Sequence, residues 1–216
     1  MGRMFFSSDV HFFHKNILRY DEEAIREHLG HVGSIYHYNE LIIARWNELV
    51  APEDQVYFLG DFSFGSRGES AEILHRLHGV KTVVRGNHDP DETLLRDMGF
   101  SEIHDSLFVN YKDQSLYLSH FPVKDLYQDI DAGNHNAFEM DVDVRDKKRA
   151  TRIITKWAHH LFDCAEIMAT GDQPLLVCGH VHGLWQRAEF KGVSMRNVGL
   201  AANGYRPVGV DELRRM

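Results

Sequence analysis

Cysteine is scarce: Cys164 and Cys178 are the two in a chain of 216 residues. Neither lies in a Cys-x-x-Cys pair, so a disulfide framework is excluded and a reducing compartment is implied. Long apolar runs are missing too. None approaches about 18 residues, which excludes a membrane-spanning helix. The opening Met1-Gly2-Arg3-Met4-Phe5-Phe6 has too short an apolar stretch for a secretory signal core. Gly2 lacks the Ser or Thr at position 6 that myristoylation requires; Phe6 stands there. The expectation is a cytoplasmic protein without membrane association. Positive charge is in deficit, 24 Lys and Arg against 32 Asp and Glu, for a net charge of −8. A broad grip on nucleic-acid backbone is disfavoured. A phosphate-bearing substrate stays open, because bound metal ions can reverse the local field. Repeats, low-complexity tracts and linkers are absent.

What is present is an ordinary globular composition, 43% hydrophobic and 26% charged, long enough for one large domain with its own core. The anomaly is 15 histidines, several grouped tightly with Asp and Asn.

Met4 to Ser8 predicts a short buried strand that delivers Asp9 and His11 to its carboxyl end. Ligand-binding residues sit there in open α/β sheets. Residues 20–34 predict a short helix and a loop. Leu41, Ile42, Trp46 and Leu49 predict a helix from about Tyr38 to Val50, with Pro52 just beyond. Gln55 to Leu59 predicts a second strand ending in Gly60-Asp61. Glu69 to His78 predicts a helix stopped by Gly79, and Lys81 to Arg85 a third strand ending in Gly86-Asn87-His88-Asp89. A short helix from about Asp91 to Met98 follows. This alternation predicts α/β architecture with a parallel sheet. Leu107 to Asn110 and Ser115 to Ser119 then predict a hairpin ending at His120. Arg149 to Cys164 has helical spacing. Leu175 to Cys178 predicts a buried strand running into Gly179-His180-Val181-His182, and Val193 to Val198 one more strand, before a turn at Asn203-Gly204-Tyr205.

The strand ends therefore carry Asp9, His11, Asp61, Asn87, His88, His120, His180 and His182. Taken singly, Asp-x-His is a solvated loop and Gly-Asp is a turn. A His after a strand is usually a satisfied core histidine. Their joint placement is different, because an alternating sheet gathers strand ends at one edge. Oxygen and nitrogen donors without thiolate suit divalent Mn, Fe, Zn or Ni. Their number exceeds one tetrahedral site and would serve two sites sharing a bridging carboxylate.

The ordered blocks Asp-x-His, Gly-Asp, Gly-Asn-His-Asp, a later His and Gly-His-x-His resemble those of the calcineurin-like metallophosphoesterases. They run from Asp9 to His182, across most of the chain. The opening Ser7-Ser8-Asp9-Val10-His11-Phe12-Phe13-His14-Lys15-Asn16-Ile17, with Asn197-Val198-Gly199 and Gly204-Tyr205-Arg206-Pro207, looks like the small bacterial and phage members. The resemblance implies two mixed β-sheets packed as a sandwich flanked by helices, the α/β/β/α arrangement, with the hairpin in the second sheet. It implies that Asp9, His11 and His182 bind one divalent metal and Asn87, His120 and His180 a second, with Asp61 bridging. Manganese is the first choice. His88 would face the substrate and protonate the leaving group, and Asp89 would orient the His88 ring. The implied reaction is in-line attack of a metal-bridging hydroxide on a phosphodiester or phosphomonoester, a small nucleotide-like substrate being favoured.

His14, three residues past His11, is a candidate substrate contact or an exposed loop histidine, and Arg85, just before Gly86, suits a structural ion pair ahead of a substrate contact. The basic run from Arg145 to Arg152 suits a solvated helix face, and His159-His160 a surface. About 60 residues separate His120 from His180. The excess, about 123–169, predicts an inserted or extended segment of a single domain over 1–216, the place to look for a lid or selectivity element. Two rivals stand beside the phosphoesterase. One is a nuclease on single-stranded nucleic acid, disfavoured by the acidic charge. The other is a non-catalytic protein-binding scaffold, disfavoured because every ligand and His88 are retained. Monomer and homodimer are equally open.

Overall fold

The computed structural model describes residues 2–123, 138–140, 166–167 and 173–213. The first half alternates strand and helix: β1 (Met4–Ser7), α1 (Ile17–Tyr20), α2 (Glu22–Leu29), α3 (Ile35–Leu49), β2 (Gln55–Phe58), α4 (Arg67–Arg76), β3 (Val80–Val84) and α5 (Glu92–Met98). Strands follow: β4 (Glu102–His104), β5 (Ser106–Tyr111), β6 (Gln114–Ser119), β7 (Phe138–Met140), β8 (Leu175–Cys178), β9 (Arg187–Phe190), β10 (Val193–Asn197) and β11 (Val208–Gly209).

The strands form two mixed sheets. One has the order β11-β1-β2-β3-β4, with β1 to β4 parallel and β11 antiparallel at its edge. The other has the order β5-β6-β8-β10-β9-β7. In it β8 runs parallel to both β6 and β10, while β5, β9 and β7 pair antiparallel to their neighbours. The fold is thus the expected sandwich flanked by helices, and the hairpin β5–β6 lies in the second sheet.

Side chains alternate across a strand, and here both faces are buried, which is why the strands are nearly continuous apolar runs. Phe6, Leu59 and Val84 from the first sheet meet Leu116, Leu118, Leu175 and Val177 from the second in the layer between them. Their neighbours Phe5, Phe58 and Val83 turn the other way, onto Ile42, Trp46, Ile73, Leu74 and Leu95 of the helices. Trp46 stacks on Phe58 at 4.8 Å, and its indole N–H donates to the His78 carbonyl at 3.1 Å. On the far face of the second sheet, Tyr117, Leu176, Cys178 and Met195 pack with Val123, Ile167 and Trp185. Each such buried side chain contributes about 1.5–3 kcal/mol.

Helices α3, α4 and α5 start at side-chain caps. Helix α3 begins at Ile35, earlier than the apolar spacing suggests, because Ser34 accepts from the His37 N–H. Helix α4 begins at Arg67 through a capping box of Ser66 and Glu69. It ends at Arg76, with Leu77 as an extended cap. Gly79, expected to stop it, lies beyond that cap at φ +94° and turns the chain into β3. Four strands escape the sequence reading, β4, β7, β9 and β11, each of two to four residues. Within 123–169, the described residues are Val123, strand β7 and residues 166–167. The helix expected over Arg149 to Cys164, the basic run and His159-His160 lie outside the described residues. Among the described residues, no helix is long and apolar enough to cross a membrane.

Candidate metal centre

The carboxyl ends of β1, β2, β3, β6 and β8 converge on one point, and the chain leaves them through unusual backbone. Asp9, His11, Asp61, His180 and His182 all have positive φ, between 48° and 68°. A left-handed non-glycine residue costs on the order of 1–2 kcal/mol, so such residues persist where their surroundings hold them. Here neighbouring strand ends hold each other within the first sheet, and one bond crosses from the second. Asp9 N–H donates to the Gly60 carbonyl and His11 N–H to the Asp61 carbonyl, both at 3.1 Å. His180 N–H donates to Asp9 Oδ2 at 2.9 Å. The two glycines at the closest approaches leave room for this. A Cβ on Gly86 would lie 2.3 Å from Asp61 Oδ1, and one on Gly179 would lie 2.5 Å from Asp9 Oδ2.

Six candidate donor residues fall into two groups of three around the seventh, Asp61. Asp9, His11 and His182 form one cluster that could hold a metal ion. His11 Nε2 is 3.2 Å from His182 Nε2, and Asp9 Oδ1 is 3.9 Å and 4.0 Å from those two atoms. In the other group His120 Nε2 lies 3.0 Å from Asn87 Oδ1 and 3.2 Å from His180 Nδ1. Asp61 Oδ2 stands between the groups, 3.9 Å from His11 Nε2 and 3.7 Å from His120 Nε2. Asp9 also reaches the second group, clustering with Asp61 and His120.

The surroundings fit a cation. Asp9 Oδ1 and His11 Nδ1 are buried polar atoms without a hydrogen-bond partner, an expensive condition in a dry site. Burial, with the Asp9 and Asp89 charges adding to it and His120 opposing, pushes Asp61 up to about 7. Burial also acts to lower His120 and His182. For His120 it is outweighed by the Asp61 and Asp9 charges, so the imidazole sits above its ordinary value. For His182 it is outweighed by the Asp21 hydrogen bond and Asp9, and the ring is pushed up to about 9. His11 and His180 are held well below the ordinary value by burial and by neighbouring imidazoles. A buried carboxyl held above its ordinary range at Asp61 and crowded imidazoles are what a divalent ion would relieve.

Two imidazoles are aimed by a second partner. His120 Nδ1–H donates to the Leu59 carbonyl at 2.7 Å, leaving Nε2 for the site. His182 Nδ1 lies 3.3 Å from Asp21 Oδ2. Asp21, at the start of α2, was not among the sequence candidates, since no local motif marks a carboxylate 161 residues from its partner. Asn197 likewise supports the site. Its side-chain N–H₂ donates to the His182 and Trp185 carbonyls at 2.7 and 2.6 Å, fixing the Gly-His-x-His loop.

His88 lies at the rim, its ring centroid 6.2 Å from that of His11. Burial, then the nearby His120 and His14 charges, lowers its pKa. The expected pairing of Asp89 with the His88 ring is corrected. Asp89 Oδ2 accepts the Asp61 and Gly86 N–H groups at 2.9 and 2.8 Å, and Oδ1 accepts that of Phe62 at 3.0 Å. Its carboxylate thus ties the loop after β3 to the loop after β2. Arg85 makes the structural ion pair, one of its two readings: its Nε–H donates to Asp105 Oδ1 at 2.8 Å and its Nη2 pairs with the same oxygen. His14 does border the site, stacked on Phe64 with centroids 4.2 Å apart. Burial and the His182 charge lower its pKa.

No family model matches the chain. A solved structure of a protein of unknown function from Aquifex aeolicus is similar over 99% of this chain and 98% of its own, with 26% identity and a TM-score of 0.65. An uncharacterized protein of Methanocaldococcus jannaschii is 28% identical over 147 residues, 65% of this chain and 73% of that protein. The Gene 66 protein of Mycobacterium phage D29 is 30% identical over 100 residues, 45% of each chain.

Proposed function

We propose that this protein is a metal-dependent phosphoesterase acting on a small phosphodiester or phosphomonoester, nucleotide-like substrates being favoured. The observation that carries the reading is the gathering of six donor residues around Asp61, with Asp9 Oδ1 buried and without a hydrogen-bond partner among them. Asp9, His11 and His182 would hold one divalent ion and Asn87, His120 and His180 another, with Asp61 common to both. Manganese suits these donors, as do iron, zinc and nickel. Bound ions would supply charge opposite the phosphoryl oxygens and a nucleophile usable near neutral pH.

The protein's own part is orientation and proton delivery. The Leu59 carbonyl and Asp21 fix His120 and His182, so that each presents Nε2 to the site. Asp89 locks two loops together through three amides, which fixes His88 relative to Asp61; the His88 N–H itself donates to Asp61 Oδ1 at 2.9 Å. Protonated His88 delivers its proton to the departing oxygen.

The test is metal analysis of the protein loaded with Mn²⁺, with hydrolysis of a panel. The panel holds aryl phosphate, aryl phosphodiester, cyclic nucleotides, dinucleotides and single-stranded DNA. Close to two ions per chain and turnover of small esters are expected. Preferred turnover of single-stranded DNA, with a steep salt dependence of binding, would make the protein a nuclease. No metal and no turnover would favour a scaffold.

A further inference from the structure

Phe64 is 42% exposed, although it sits beside the candidate metal centre. Its exposure does not come from a loose loop. Its N–H donates to the Phe12 carbonyl at 2.8 Å. The residues around it are pinned as well: Ser63 Oγ is 2.8 Å from Ser70 Oγ and accepts the Gly65 N–H at 3.1 Å. A large apolar ring is therefore held in water on a fixed backbone, at a cost the fold does not recover by packing.

The ring's neighbours suggest its use. One face lies on the His14 imidazole, centroids 4.2 Å apart and planes 28° apart. His88 is 5.1 Å away and His11 5.5 Å, both tilted. Beyond His14, Tyr20 meets that imidazole edge-on at 5.9 Å and is itself 48% exposed. With three imidazoles around it, Phe64 still keeps 42% of its surface open.

We propose that Phe64, backed by His14, is a stacking face for a planar aromatic leaving group, such as a nucleobase-bearing or aryl alcohol. The inference rests on the phosphoesterase reading, in which His88 serves the departing oxygen. Whatever is attached to that oxygen lies beside His88 and hence against Phe64. An alkyl group would gain burial there, but a flat ring gains the stacking geometry as well.

The discriminating substrates are two phosphodiesters that differ only in the leaving alcohol, benzyl against cyclohexylmethyl. Both are primary alkoxides of seven carbons, so size and intrinsic reactivity nearly cancel and ring planarity remains. With Mn²⁺-loaded protein, the benzyl ester is expected to have the higher kcat/KM by about 5- to 10-fold. Phe64→Leu keeps apolar bulk without the π-face and should bring that ratio close to one, whereas Phe64→Trp should keep or raise it. Calorimetric binding of benzylphosphonate against (cyclohexylmethyl)phosphonate, whose C–P bonds are not hydrolysed, should show the same preference without turnover. An unchanged ratio in Phe64→Leu, or equal turnover of both esters by the wild type, overturns the stacking face and leaves the phosphoesterase intact. Failure of the wild type to hydrolyse either ester, or any of the panel above, overturns both.

Discussion

The two donor groups use the same side chains and differ in what stands behind them. His120 is fully buried and is aimed by the Leu59 carbonyl, a neutral acceptor that no substitution removes. His182 is 26% exposed and is aimed by Asp21, an ionisable side chain whose charge helps burial hold the phenols of Tyr38 and Tyr205 above their ordinary range. A carboxylate behind an imidazole raises its basicity more than a carbonyl does. The aim of His182 can therefore be altered by one substitution, while that of His120 is built into the backbone of the sandwich.

Removing what the groups share should do most. Asp61→Ala should abolish binding at both and lower kcat/KM by about 10³-fold or more; metal content and steady-state kinetics check this. His88→Ala should lower kcat by about 10²- to 10⁴-fold with both ions retained. Loss of the ions in that variant would make His88 a ligand. Asp21→Asn should separate the groups, weakening one of two metal-binding events by about 10- to 100-fold in a calorimetric titration. If both events weakened equally, the two groups would not be independent.

The smallest effect belongs to a control remote from both groups. Asp54 is buried and accepts the Arg3 and Ala51 N–H groups at 2.7 and 2.8 Å and Arg3 Nη2 at 2.9 Å. Burial acts to raise its pKa, but these hydrogen bonds and the Arg3 charge outweigh it and hold the carboxyl below the usual range. A depressed folded pKa stabilises fully above the unfolded value near 4 and is lost as pH falls through the folded value. Asp54→Ala should cost about 2 kcal/mol at pH 7. The gap from wild type in urea midpoint should shrink on acidification, with metal binding at neutral pH unaffected.

Much of this was legible in the sequence because it is local. A short apolar run followed by Asp, His or Asn marks a strand and its end, and two-sided burial makes such runs conspicuous. Strands β4 and β9 were missed because Glu102-Ile103-His104 and Arg187-Ala188-Glu189-Phe190 owe their conformation to pairing with β3 and β10. The roles of Asp21 and Phe64 are set by approach across the fold. Asp89 misled for the opposite reason. Adjacent residues in a turn point apart, so standing next to His88 in the chain did not put its carboxylate on the His88 ring.

Each donor group draws from both sheets. Asp9 and His11 follow β1 and His182 follows β8; Asn87 follows β3, while His120 and His180 follow β6 and β8. An ion in either group would act as a rivet through the sandwich, and the protein's lifetime would become tied to its metal supply. At a metal concentration 100 times Kd, one such ion adds about 2.7 kcal/mol to stability. A chelator would then do more than silence the protein: it would shorten the time the two sheets stay together, and starvation for the metal would be felt first as protein turnover.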